Sequence, residues 1–224
     1  MIVTFDLFSA LTDTRSGAGR TFSGIAAERG WSQSGTELYD AWDDHNKALQ
    51  RDARAPTTFR DVSRAALVAA YADLGLDAAL APADLVRLHE TVPDWPLWPD
   101  VEAGVAAVEA IGHVTAVGLL SNVDDDLARL TRAHALVDPD LVLSSQRLGA
   151  FKPSPEIYTR AVTAVAPEPL VHVAASARDV RGALEAGITA VRLARPGHVV
   201  DATGPRPPHE VQDAADLAGV IARL

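Results

Sequence analysis

Short runs of Val and Leu alternate with longer amphipathic stretches over residues 100–194, and this rhythm constrains the fold more than any other feature. The runs "HVTAVGLLS" (113–121), "PDLVLS" (139–144), "LVHVAA" (170–175) and "TAVRLA" (189–194) share their character with the opening "MIVTF" (1–5). They are brief, β-branched and followed by polar or turn residues, as strands buried on both faces are. The stretches between them, 100–112, 124–136, 154–165 and 177–187, have helical spacing. Gly112 and Gly187 suit helix C-caps, and Pro155 suits a first helical turn. Such alternation predicts a parallel sheet with helices on both faces, an α/β Rossmann-like core.

Residues 15–90 break the rhythm. Four helical patterns follow one another there without a convincing strand. The simplest organisation is a core over 1–14 and 91–224 with an all-helical cap inserted over 15–90. The proline-rich "VPDWPLWPDVE" (92–102) reads as the return into the core, and the tail from Ala194 as a Gly/Pro-rich loop and a closing amphipathic helix.

In an open parallel sheet, ligands bind beyond the carboxyl ends of the strands. There the chain delivers Asp6, then Ser121-Asn122, then Lys152, then Ser176 and Asp179. A carboxylate can attack carbon or phosphorus to form an ester intermediate, and an ammonium can keep that carboxylate ionised. A second acid can anchor the lysine or orient water. Asp124-Asp125-Asp126 reads more simply as a helix cap with first-turn acids, and His172 as a buried or edge residue.

Four segments in this order, "FDLFSAL", "LLSN", "FKPSPEIY" and "HVAASARDVRGALEAG", resemble the motifs of the haloacid dehalogenase superfamily. The resemblance implies a parallel-sheet core with a helical cap and an aspartate nucleophile. Phosphatases of the superfamily carry a second acid two residues after the first, and here Phe8 stands there. The fourth motif is also one residue shorter than in phosphatases. Both features resemble the L-2-haloacid dehalogenase branch, whose members need no metal or other cofactor. By that resemblance Asp6, Lys152 and Asp179 are the catalytic residues, while Phe8, Ser121, Asn122, Tyr158, Ser176 and Trp42 contact substrate.

The motifs also depart from that branch. Ser9-Ala10 replaces the usual Gly-Thr, removing the threonine hydroxyl, and Ala174 replaces a serine. The cap arginine that follows a tryptophan in dehalogenases is matched by Asp43, after Trp42; Arg51, Arg54 or Arg60 would have to replace it. Three functions follow in order of preference. The first is a metal-independent hydrolase acting on an activated carbon. The second is a magnesium-dependent phosphatase or phosphonatase-like enzyme, and the third a catalytically impaired binding module.

Composition narrows the partners. Twenty basic against thirty acidic residues give a formal charge of −10, which argues against nucleic acid or an anionic membrane. The absence of cysteine removes disulfides, thiolate metal sites and thiol nucleophiles. No signal-peptide pattern opens the chain and no apolar run suits a bilayer, so a cytoplasmic protein with a small-molecule substrate is expected, with a homodimer left open.

Overall fold

The computed structural model describes residues 1–200 and 204–224. Its centre is one parallel sheet of β1 (Ile2–Phe5), β2 (Ala116–Ser121), β3 (Val142–Ser144), β4 (Leu170–Ala174), β5 (Thr189–Leu193) and β6 (His209–Val211). The strand order is β3-β2-β1-β4-β5-β6. All four residues of β1 are buried, and Phe5 pairs with Leu119 on one side and Val173 on the other. The chain order reverses between β1 and β4, so the ligand crevice of such a sheet lies beyond the ends of these two strands.

Four helices precede the second strand: α1 (Thr14–Arg29), α2 (Gly35–Gln50), α3 (Phe59–Asp73) and α4 (Ala81–Glu90). They form the all-helical cap. Their starts are written locally. Ser34 with Glu37, and Thr58 with Asp61, form capping boxes at α2 and α3. Gly35 allows α2 to cross α1 closely, because a Cβ there would lie 2.0 Å from the Gly19 carbonyl oxygen. Two connections join cap to core and run side by side. Thr12 bridges Leu97, and Trp98 donates its backbone N–H to Leu11 at 3.0 Å.

The remaining helices are α5 (Val101–Glu109), α6 (Asp125–Leu130), α7 (Ser145–Leu148), α8 (Pro155–Val165), α9 (Ala177–Glu185) and α10 (Leu217–Ile221). Pro155 opens α8, and Gly187 turns the chain after α9 at φ 77°. Several boundaries differ from the sequence pattern. The α5 helix closes at Glu109, and Gly112, three residues on, has no positive φ. The helix expected over 124–136 stops at Leu130 and continues as a tighter 3-10 turn over Arg132–Leu136. A π-helical turn, Leu7–Leu11, follows β1 directly. The tail contains β6, whose three residues are too few to show a period; pairing with β5 and an Arg192–Glu210 contact of 2.7 Å hold it. The loop expected in this tail includes residues 201–203, which lie outside the described residues. No described helix is long and apolar enough to cross a membrane.

Candidate active site

The end of β1 sets the site. The Asp6 backbone N–H still donates to Val173 at 2.9 Å, extending the sheet by one bond. The π-helical turn then begins, and Asp6 caps it: Oδ2 accepts the Ser9 N–H at 3.1 Å and also the Ser9 hydroxyl. The hydroxyl missing at Ala10 is thus supplied one position earlier. Oδ1 accepts the Lys152 ammonium at 2.7 Å and the Ser121 hydroxyl at 3.3 Å.

Lys152 is buried and spends all three ammonium hydrogens. They go to Asp6, to Asp179 Oδ2 at 2.5 Å and to the Leu120 carbonyl at 2.7 Å. Its backbone is clamped as well. Asn122 accepts the Lys152 N–H at 2.7 Å and donates to the Lys152 carbonyl at 2.9 Å. Asn122 also donates to Gln50 Oε1 of the cap at 2.9 Å. Its side chain therefore aims the lysine and ties α2 to the core.

Asp179, in the first turn of α9, is held from behind. Tyr158 donates its hydroxyl to Oδ1 at 2.9 Å, and His172 Nε2 lies 3.2 Å from each oxygen. An ionised carboxylate can only accept, so Nε2 carries the proton. Nδ1 of the same ring lies 3.0 Å from the Thr4 hydroxyl. Gly182 leaves room for this arrangement, since a Cβ there would lie 2.7 Å from the Tyr158 ring.

Burial by itself would raise the pKa of Asp6, but Lys152 and Ser9 outweigh it and hold the carboxyl below its ordinary 3.8. Burial likewise opposes Asp179, and Lys152 with His172 holds it well below the carboxylate range. Burial would lower Lys152, yet Asp179 and Asp6 raise it above its ordinary 10.5. All three groups are charged at neutral pH.

Above them lies a cavity of about 100 Å³ between core and cap, room for a molecule of a few heavy atoms. Of the residues expected to contact substrate, Phe8, Trp42, Ser121, Asn122 and Ser176 line it. Phe8 stacks on Phe59 of α3 at 5.8 Å and meets Trp95 at 6.1 Å, which makes an apolar wall where a phosphatase has its second acid. Trp42 is mostly cap core, donating to the Ser63 carbonyl at 3.1 Å. Tyr158 does not line the cavity; it is fully buried beneath Asp179.

The residues proposed to replace the cap arginine are elsewhere. Arg60 pairs with Asp126 at 2.8 Å, Arg54 donates to the Ala53 carbonyl at 2.8 Å, and Arg51 is exposed. Asp43 forms an i,i+4 ion pair with Lys47, which offsets its charge. Asp124 is a second departure. It stands at the N-cap position of α6 but makes no cap there; its carboxylate instead accepts the Phe59 and Arg60 N–H groups at 2.8 and 3.1 Å, capping α3 of the cap. Sequence reasoning missed Arg178, Gln50 and the Asp179 contact of His172. The one local signal was the position of Arg178 beside Asp179.

Sheet order, helical cap and a charged cluster at the switch point define a capped α/β protein of the hydrolase type. A family model described as haloacid dehalogenase-like hydrolase matches residues 1–187, and the chain belongs to that family of enzymes. Among curated relatives, (S)-2-haloacid dehalogenase 4A of Burkholderia cepacia is 26% identical over 141 residues, 61% of this chain and 60% of the relative. (S)-2-haloacid dehalogenase 1 of Pseudomonas sp. (strain CBS-3) is 27% identical over 142 residues, 62% of each chain. A phosphoserine phosphatase of Thermus thermophilus is 40% identical over 106 residues, 45% of this chain and 42% of the relative. These matches span at most 62% of the relatives' length. Solved structures are similar over nearly the whole chain. An L-2-haloacid dehalogenase superposes with a TM-score of 0.78 at 26% identity, covering 100% of this chain and 99% of its own. The Xanthobacter autotrophicus L-2-haloacid dehalogenase with chloropropionic acid covalently bound gives 0.79 at 21% identity, covering 98% and 97%, a likeness of fold.

Proposed function

We propose that the protein is a metal-independent hydrolase of the 2-haloacid dehalogenase type, with Asp6 as nucleophile. The observation that carries this reading is the seat of Lys152, between Asp6 and Asp179. A magnesium ion needs an octahedral oxygen shell, usually built from carboxylates and waters. Here an ammonium lies between the two acids, and Phe8 removes the further acid. The donor set does not fit the metal.

In this mechanism an Asp6 oxygen attacks the α-carbon of the substrate, and the halide leaves with the bonding pair. An ester of Asp6 results, with inversion at carbon. Water then adds to the Asp6 carboxyl carbon. Lys152 and the Ser9 N–H stabilise the charge that develops on the carboxyl oxygens. Collapse releases a 2-hydroxy acid and a proton, and restores Asp6. Asp179 acts as a positioning residue: its acceptor sites are filled and its low pKa makes it a poor base, so its part is to hold Lys152. The cap keeps bulk water from the first step.

The test is halide release from 2-chloropropionate with EDTA present. The wild type turns over and Asp6→Asn loses on the order of 10⁴-fold or more in kcat, as removal of a nucleophile does. Activity that survives in Asp6→Asn, or that requires magnesium, refutes the reading. The phosphatase likeness at 40% identity favours a second reading, a magnesium-dependent phosphohydrolase. Turnover of phosphoserine with magnesium, and none of haloacids, would establish it.

A further inference from the structure

We infer that Arg178 is the residue that binds the anionic group of the substrate, supplying from the core the positive charge that Asp43 denies to the cap. The inference rests on the haloacid reading above for the substrate's carboxylate, and on the cavity itself for the rest.

Five described side chains that can carry positive charge line the cavity: Lys47, His89, Lys152, Arg178 and His198. Lys152 is shared by two carboxylates, and that trio is net negative. Lys47 is paired with Asp43. Burial pushes His89 down to about 4 and also lowers His198, so both rings are neutral near pH 7. Arg178 remains. Among the described residues no carboxylate forms an ion pair with it. Its partners are neutral oxygens of α2: the Lys47 carbonyl at 2.7 Å and Gln50 Oε1 at 2.5 Å. These use two of the five guanidinium N–H groups and hold the planar fork at the cap–core seam. A fixed fork matches a carboxylate, which accepts two parallel N–H bonds. An anion entering beside Asp6 and Asp179 would meet a trio with one ammonium for two carboxylates.

The experiment compares 2-chloropropionate with its neutral analogue 2-chloropropionamide. In Arg178→Gln, KM for the acid rises on the order of 10- to 100-fold, the loss expected for a charge-assisted contact, while the amide changes about two-fold or less. Arg178→Lys keeps the charge without the fork and recovers part of the acid's affinity; it carries the comparison if Arg178→Gln does not fold. Equal losses for acid and amide overturn the inference. So does an effect on kcat that varies with the halide, which would assign Arg178 to the leaving group. Equilibrium binding of 2-chloropropionate to Asp6→Asn, with and without Arg178→Gln, needs no turnover. Loss of binding there supports the inference even if dehalogenation fails, and unchanged binding overturns it.

Discussion

Replacing Lys152 with Met is the most revealing perturbation, because it should create a response to pH over a range where the wild-type trio contributes none. The wild-type trio shares one ammonium between two carboxylates: Lys152 lies 2.7 Å from Asp6 and 2.5 Å from Asp179, all buried. Asp6 and Asp179 have depressed pKa values, so their stabilisation is present above the unfolded value near 3.8 and is lost as pH falls through the lower folded values. Lys152 is raised, so its stabilisation is present below 10.5 and is lost as pH rises through the higher folded value. Between about pH 5 and 9 the trio therefore contributes a constant amount. In Lys152→Met, two buried carboxylates face each other. Burial and mutual repulsion raise their pKa values above those of the unfolded chain. At about pH 8 the variant should be about 3–5 kcal/mol less stable, the cost of stripping one partner from a buried ion pair. Acidification should then stabilise it by up to about 1.4 kcal/mol per pH unit for each proton taken up. Urea unfolding at about pH 5 and about pH 8 measures both quantities. A loss under about 1 kcal/mol at the higher pH, or a pH response parallel to that of the wild type, would refute the electrostatic account of the site.

Three further outcomes follow from single contacts. Tyr158→Phe removes a donor to Asp179 and should destabilise by about 1.5–3 kcal/mol in denaturant unfolding. Its effect on KM should be small, because the ring lies beneath the cavity rather than in it. Gly182→Ala places a methyl 2.7 Å from the Tyr158 ring and should lower stability by about 1–3 kcal/mol, with an activity loss from the displaced Asp179. Asp124→Ala removes the acceptor of two α3 N–H groups across the cap–core seam, leaves the Thr58–Asp61 capping box, and should cost about 0.5–2 kcal/mol, with faster hydrogen exchange at the Phe59 and Arg60 amides.

Much of this architecture was legible in the chain. The strand runs placed Asp6, Ser121, Lys152 and Asp179 at one sheet edge, and the structure brings these four together. Pro155 and Gly187 marked helix ends as expected, because both residues act through their own backbone. Signals that depend on neighbours failed. Gly112 resembled a C-cap, but α5 closes earlier. Asp124 resembled a cap of its own helix, but the nearer orphan N–H groups belong to α3. The six-residue helix α6 and three-residue strand β6 are too short for a hydrophobic period to define their ends.

Local chemistry and periodicity determined the sheet, the helical insert and the identity of the charged trio, since strand ends and turn residues are properties of a few adjacent positions. Only the tertiary structure decided what each side chain faces. Ser9 restores a hydroxyl to Asp6, His172 and Tyr158 hold Asp179, Asp43 is neutralised by Lys47, and Arg178 of the core lines the cavity with no carboxylate in an ion pair with it among the described residues. The contact of Arg178 with Gln50 joins residues 128 apart in the chain. Its geometry depends on how cap and core close on each other, a packing outcome that no local pattern encodes.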